Sequence, residues 1–244
     1  ASNILGVDQE FAAKVTKARA RLVPPQIGSN GSLQEWADDL EQMEDKHRHF
    51  SHLYGLYPGN VISAKRTPEL VVPVKKVLEQ RGDGGTGFSR AWKMSLWARL
   101  NDGNRANDIF KGYIKDQCYP SLFAKCFTPL QVDGSFGVTA GISEMLIQSN
   151  EETIELLPAL PDEWSSGSFN GVCARGAFEL NLAWNEKIIT EVAILSKEGQ
   201  YCRIKAGSLN IVSSNGKKIK FTNYPDGSIG FPTVQGNAYK LGKI

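Results

Sequence analysis

The apolar residues of this chain change their period part-way along it. Up to about residue 149 they recur at every third or fourth position, as on helices that pack through one face. From about Glu155 they fall in short alternating runs: Phe178–Trp184, Ile188–Leu195, Tyr201–Lys205, Asn210–Val212 and Lys218–Phe221. Gly, Asn and Ser turns separate these runs at intervals of roughly ten residues, the spacing of an antiparallel sandwich. A side-chain pattern of one period cannot be buried by an element of the other. The chain therefore divides into a helical part, residues 1–154, and a small antiparallel β-sandwich, residues 155–244. The run Leu156-Leu157-Pro158-Ala159-Leu160-Pro161 reads as a rigid link between them.

Within the helical part, Ile4, Leu5, Phe11, Val15, Ala18 and Leu22 mark one face of a helix over residues 3–22. Lys14, Lys17, Arg19 and Arg21 gather toward its end, as the helix dipole favours, and Pro24-Pro25 stops it. Ser32 with Glu35 three positions later has the form of a capping box and predicts a short helix over 33–36. Pro68 predicts a helix start, running to about Arg81, which Pro73 must kink or split. Helices follow over 88–100 and 104–119, and Val138, Ile142, Met145 and Leu146 give the apolar face of another. The expectation is an antiparallel helical array. Of Trp92 and Trp97, five apart and on different helix faces, one belongs to the core.

Charge narrows the possible partners. Lysines and arginines exceed acids by only two, which gives no electrostatic case for nucleic acid or an anionic membrane. No apolar run approaches the roughly 18 residues of a membrane span. Cys118, Cys126, Cys173 and Cys202 lack metal-site spacing and read mostly as small buried apolar residues, with a Cys118–Cys126 disulfide left open. The acidic run Asp38, Asp39, Glu41, Glu44 and Asp45 reads as a solvated loop. The loop Gly82-Asp83-Gly84-Gly85-Thr86-Gly87 has no following lysine at phosphate-loop spacing, so it reads as a flexible cover over a cleft.

Two places concentrate chemistry. Asp133 stands where Gln131-Val132 meets Gly134-Ser135-Phe136-Gly137. It reads either as a helix cap with glycines for tight packing, or as a carboxylate held beneath a space that a ligand fills. All three histidines, His47, His49 and His52, lie within six residues and flank Arg48. They allow a metal site, with Asp38, Asp39 and Glu44 as oxygen donors. They fit better with a sugar surface. Arg48, His49 and His52 supply donors there, and Trp36, Phe50 and Tyr54 supply flat faces for sugar C–H groups. Glycoside hydrolysis needs an acid and a base. Asp133 can serve as base, and nothing in the sequence pairs Glu35 with it as acid.

Taken together, LQEWADD (33–39), HRHFSHLYGLYPG (47–59), GGTGFSRAWKMSLWARLNDGNRA (84–106), LQVDGSFGVTAGISEMLIQS (130–149), LLPALPDEW (156–164) and GVCARGAFEL (171–180) resemble the C-terminal half of the family 95 glycoside hydrolases, the α-L-fucosidases. The resemblance covers most of residues 3–185. It implies the second part of an (α/α)6 helical barrel followed by a β domain. It also implies inverting hydrolysis of terminal α-linked L-fucose, the 1,2-linkage foremost, with no cofactor or metal. Asp133 matches the family's base-side aspartate, and Arg48 and His49 match the residues that hold the fucose hydroxyls. Ser135 stands where the family commonly has asparagine. The family's general acid, in a Ser-Pro-Glu motif, and its water-positioning asparagines lie upstream of the matched segment. The expectation is thus a fragment that works with its missing N-terminal half on a fucosylated glycan, in a secreted or periplasmic setting. A carbohydrate-binding remnant and a related α-L-galactosidase are the alternatives.

Overall fold

The computed structural model of the chain describes residues 2–40, 46–206, 210–213 and 216–242. Glu41, Glu44 and Asp45 of the acidic run lie outside the described residues. Helices α1 (Ser2–Leu5) and α2 (Gln9–Arg19) replace the single helix expected over 3–22. The break falls at Gly6 and Asp8, both of positive φ; Gly6 N–H closes α1 on Ser2 C=O. Neither helix has a buried residue, and Ile4, Leu5 and Phe11 stand in solvent. The short helix expected at 33–36 does not form. Ser32 Oγ donates to Asn30, Leu33 N–H to Pro73 C=O and Gln34 N–H to Gln26 C=O, so the donors a helix would use are already taken.

A 3₁₀ turn, Ser51–Gly55, precedes a second one, Pro68–Leu70, which leads into α3 (Val71–Arg81). Pro73 sits in the first turn of α3, where its missing N–H has no helical partner to lose. Helices α4 (Gly87–Arg99), α5 (Gly103–Asp116) and α6 (Val132–Leu146) form the body of the helical part. Asp102 caps α5 by accepting from Arg105 N–H at 3.1 Å. Alpha5 returns antiparallel to α4: Arg90 near the start of α4 pairs with Asp116 at the end of α5, and Arg105 lies over Trp97. The expectation of an antiparallel array fails for α6, which runs parallel to α4. Gly134, Gly137 and Gly141 of α6 face Phe88, Ala91 and Met94 of α4 in that order. A Cβ on Gly134 would lie 2.7 Å from Ala124 Cβ and 2.9 Å from Phe88 N. The glycines therefore serve the close approach of two helices. Trp97 is the core tryptophan, 2% exposed, and Trp92 Nε1 donates to Tyr57 C=O.

Ten strands follow. Beta1 (Ile147–Gln148), β2 (Ile154–Leu156), β6 (Cys202–Lys205), β9 (Ile229–Phe231) and β8 (Thr222–Asn223) make one sheet in that order. Beta3 (Gly167–Ala174), β4 (Phe178–Asn185), β5 (Ile188–Ser196), β10 (Ala238–Gly242) and β7 (Asn210–Ser213) make the other. Pairing is antiparallel except for β2 with β6, which corrects a wholly antiparallel expectation. Phe178, Leu180, Leu182 and Trp184 point inward along β4 while their neighbours face out, the alternation of a half-buried strand. The buried faces of both sheets share one core, with Phe231 of β9 against Tyr239 of β10 at 5.5 Å between ring centres. All four cysteines are free, so the Cys118–Cys126 disulfide does not form. Cys118 and Cys202 are buried, whereas Cys173 is exposed.

The junction is tightly packed. Leu157 N–H donates to Leu146 C=O and Ala159 N–H to Met145 C=O. Ala159 C=O lies directly against Gly103 at the start of α5, leaving no room for a Cβ there. Trp164 stacks edge-on against Phe110 of α5, and its carbonyl accepts from Trp184 Nε1 of β4. The Leu-Pro run is thus pinned between the helices and the sandwich.

Candidate active site

Because α4 and α6 run parallel, their first turns lie side by side. Gln131 fixes this contact: its Oε1 accepts from Phe88 N–H at 2.9 Å, and Gln131 rather than Asp133 is the cap residue of α6. Ser135 Oγ accepts from Ala124 N–H at 3.0 Å and holds the preceding loop against the same turn. Asp133, in the first turn of α6, is exposed, and its Oδ1 accepts from Gly134 N–H at 2.9 Å. The packing function first read for the glycines belongs to the helix seam, while the Asp133 carboxylate faces out from it.

The histidine segment reaches the same end of α4. Ser89, one turn into α4, donates through Oγ to Arg48 C=O at 2.9 Å. A Cβ on Gly85 would lie 4.0 Å from Arg48 Cβ, so the glycine loop passes directly beside Arg48. Arg48 and His49 present exposed side chains there. The His49 imidazole is held below its ordinary pKa, first by desolvation and then by the charges of Arg48 and His47. A neutral imidazole both donates and accepts hydrogen bonds, which suits a hydroxyl ligand. Lys93, 2% exposed, donates through Nζ to Gly84 C=O at 2.6 Å beneath the loop and lies over the Phe50 ring. Burial lowers its pKa to about 8.

Trp36 and His52 belong to a neighbouring groove centred on Glu35. Glu35 accepts from Arg81 Nη2 at 2.6 Å and from Ser51 Oγ at 3.1 Å, and His52 Nδ1 lies 3.7 Å away. The His52 side chain is 6% exposed and Trp36 is 56% exposed, so Trp36 offers the open face of this groove. Glu35 is thus occupied in bonds to Arg81 and Ser51. His47 and His49 meet edge-on, at 5.1 Å between ring centres, while His52 turns to Glu35. Among the described residues no three His, Cys, Asp or Glu side chains converge on a metal position. Arg81, Ser89 and Lys93 organise this region without having stood out in the sequence. Arg81 there resembled an ordinary basic residue at a helix end.

Residues 1–146 match the glycosyl hydrolase family 95 catalytic domain, and residues 148–241 match the glycoside hydrolase family 95 C-terminal domain. The chain is 40% identical to alpha-L-fucosidase 2 of Arabidopsis thaliana over 211 residues, covering 81% of this chain and 25% of that protein. It is 30% identical to the probable alpha-fucosidase A of Aspergillus niger over 204 residues, covering 75% of this chain and 26% of the relative. The chain thus spans about a quarter of the length of these relatives.

Proposed function

The chain belongs to glycoside hydrolase family 95, and we propose that it supplies the base side of an inverting α-L-fucosidase acting on terminal α-linked L-fucose. The observation that carries this reading is the meeting of three segments at the N-terminal end of α4: the first turn of α6 with Asp133, the Arg48–His49 segment and the glycine loop. Asp133 accepts the proton of the attacking water. Arg48 donates charge-assisted hydrogen bonds to sugar hydroxyls, and neutral His49 exchanges hydrogen bonds with another. Trp36 offers an aromatic face in the adjoining groove, and His52 shapes that groove through Glu35.

The general acid comes from an upstream segment. In this reading α4 and α6 are neighbouring helices of one ring of an (α/α)6 barrel, with α5 behind them, and the upstream half completes both ring and site. The exposed apolar residues of α1 and α2 support this, since helices with no buried residue of their own offer apolar side chains to a partner. The glycan most in keeping with the family is an α-1,2-fucoside.

The test is release of L-fucose from 2′-fucosyllactose by the chain alone and by the chain joined to its upstream half. Activity is expected only in the second case. There Asp133→Asn lowers kcat by about 10²–10⁴-fold, the usual loss of a general base, while KM stays within a few-fold. Turnover by the chain alone would place the acid within these 244 residues and refute the division of labour. Sugar binding without turnover in the joined protein would favour a binding remnant, and L-galactoside turnover would favour the galactosidase.

A further inference from the structure

We propose that Arg81 and Ser89 are positioning residues that clamp the backbone of His47, Arg48 and His49 and thereby aim the Arg48 and His49 side chains. This rests on the reading of Arg48 and His49 as the sugar contacts. Residues 46–50 lie in neither helix nor strand, so the segment has no hydrogen-bond ladder of its own. Its three successive carbonyls are held instead by side chains from distant elements. Arg81 Nη1 donates to His47 C=O at 3.0 Å and also to His49 C=O. Ser89 Oγ donates to the carbonyl between them, that of Arg48.

The clamp is rigid because its parts are buried. The Arg81 side chain is 4% exposed and Ser89 is 1% exposed. Arg81 is itself fixed by Glu35, whose carboxylate accepts from Nη2. Phe50, next along, is fully buried against Trp92 at 4.8 Å between ring centres. A planar guanidinium suits this task, since one fork serves two carbonyls and a carboxylate at once; an ammonium has no such fork. Fixing the backbone in advance spares the sugar the ordering cost of an otherwise irregular loop.

The test is a mutant cycle in the enzyme joined to its upstream half, with 2′-fucosyllactose as substrate. Ser89→Ala is expected to raise KM about fivefold and Arg81→Met about thirtyfold, with smaller changes in kcat, as for lost neutral and charge-assisted hydrogen bonds. Arg81→Lys does not restore KM. In an Arg48→Ala background, the effect of Ser89→Ala shrinks, because one of the two side chains it aims is gone. Independent, multiplying effects, or a loss of thermal stability with KM unchanged, would overturn the clamp. Should Arg81→Met fail to fold, Ser89→Ala alone decides. If Arg48→Ala raises KM but Ser89→Ala and Arg81→Met do not, only the clamp falls. If Arg48→Ala changes neither KM nor kcat, the sugar-site reading falls and the clamp with it.

Discussion

The helical part and the sandwich solve the same burial problem to different extents. The sandwich closes on itself: two sheets share one core, and β4 and the second half of β5 turn alternate residues into it. The helical part has a core between α3, α4, α5 and α6, yet it leaves apolar surface in solvent. Of the large apolar side chains exposed among the described residues, twenty precede Ile147 and only four follow it. The difference teaches that the sandwich buries its apolar residues within itself, while the helical part leaves many of its own in solvent. The candidate site lies in the helical part, near the unit whose burial is incomplete.

Substitutions can break or sharpen this contrast. The largest effect is expected at Phe231, fully buried between the sheets: Phe231→Ala should cost about 4 kcal/mol, the usual loss for a buried ring, read by chemical denaturation. A loss below about 1 kcal/mol would mean that the sandwich core is not the closed unit described here.

Lys93 gives the next effect, and it depends on pH. Its pKa falls from 10.5 to about 8 in the folded protein, first through desolvation. Between those values the unfolded chain binds the proton and the folded one releases it, so stability rises with pH across this window. Measured against Lys93→Met, the wild type should gain up to about 3 kcal/mol between pH 8 and 10.5. A difference that stays flat across that range would show that Lys93 is not desolvated beneath the glycine loop.

Gly134→Ala follows. The new methyl must push apart the starts of α4 and α6, at a cost of about 2 kcal/mol. Unchanged stability would show that the helix seam is looser than its contacts indicate. The smallest effect is expected at Phe11, which is 68% exposed on α2. Phe11→Ser should shift the stability of the isolated chain by less than about 0.5 kcal/mol while raising its solubility. In the protein joined to its upstream half the same change should destabilise measurably. Equal effects in both would remove α2 from the proposed contact surface.

Much of the fold was legible because it is local. The alternation of Phe178, Leu180, Leu182 and Trp184 predicts β4 directly, and the helix expected over 104–119 forms as α5. Beta9 carried no alternation to read, since all three of its residues are buried. Beta3 was hidden by the register shift between Phe169 and Val172. The capping box at Ser32 and Glu35 misled because tertiary partners outbid the helix: Glu35 binds Arg81 and Ser51 instead of its own backbone. The candidate site was legible only as motifs, Asp133 in its glycine turn and Arg48 among the histidines.

Sequence alone determined the division into two periods, the helical segments that became α3 to α6, the strands β4 to β7 and the residues of the candidate site. Tertiary structure alone decided that α6 runs parallel to α4, so that Asp133 comes to the end of α4 where Arg48 and His49 are held. It also decided that Arg81 and Ser89 grip the carbonyls of that segment. The reason is range. Periodicity is written between neighbours three or four apart, whereas these bonds join groups separated by 34 and 41 positions, and only the folded chain brings them within reach.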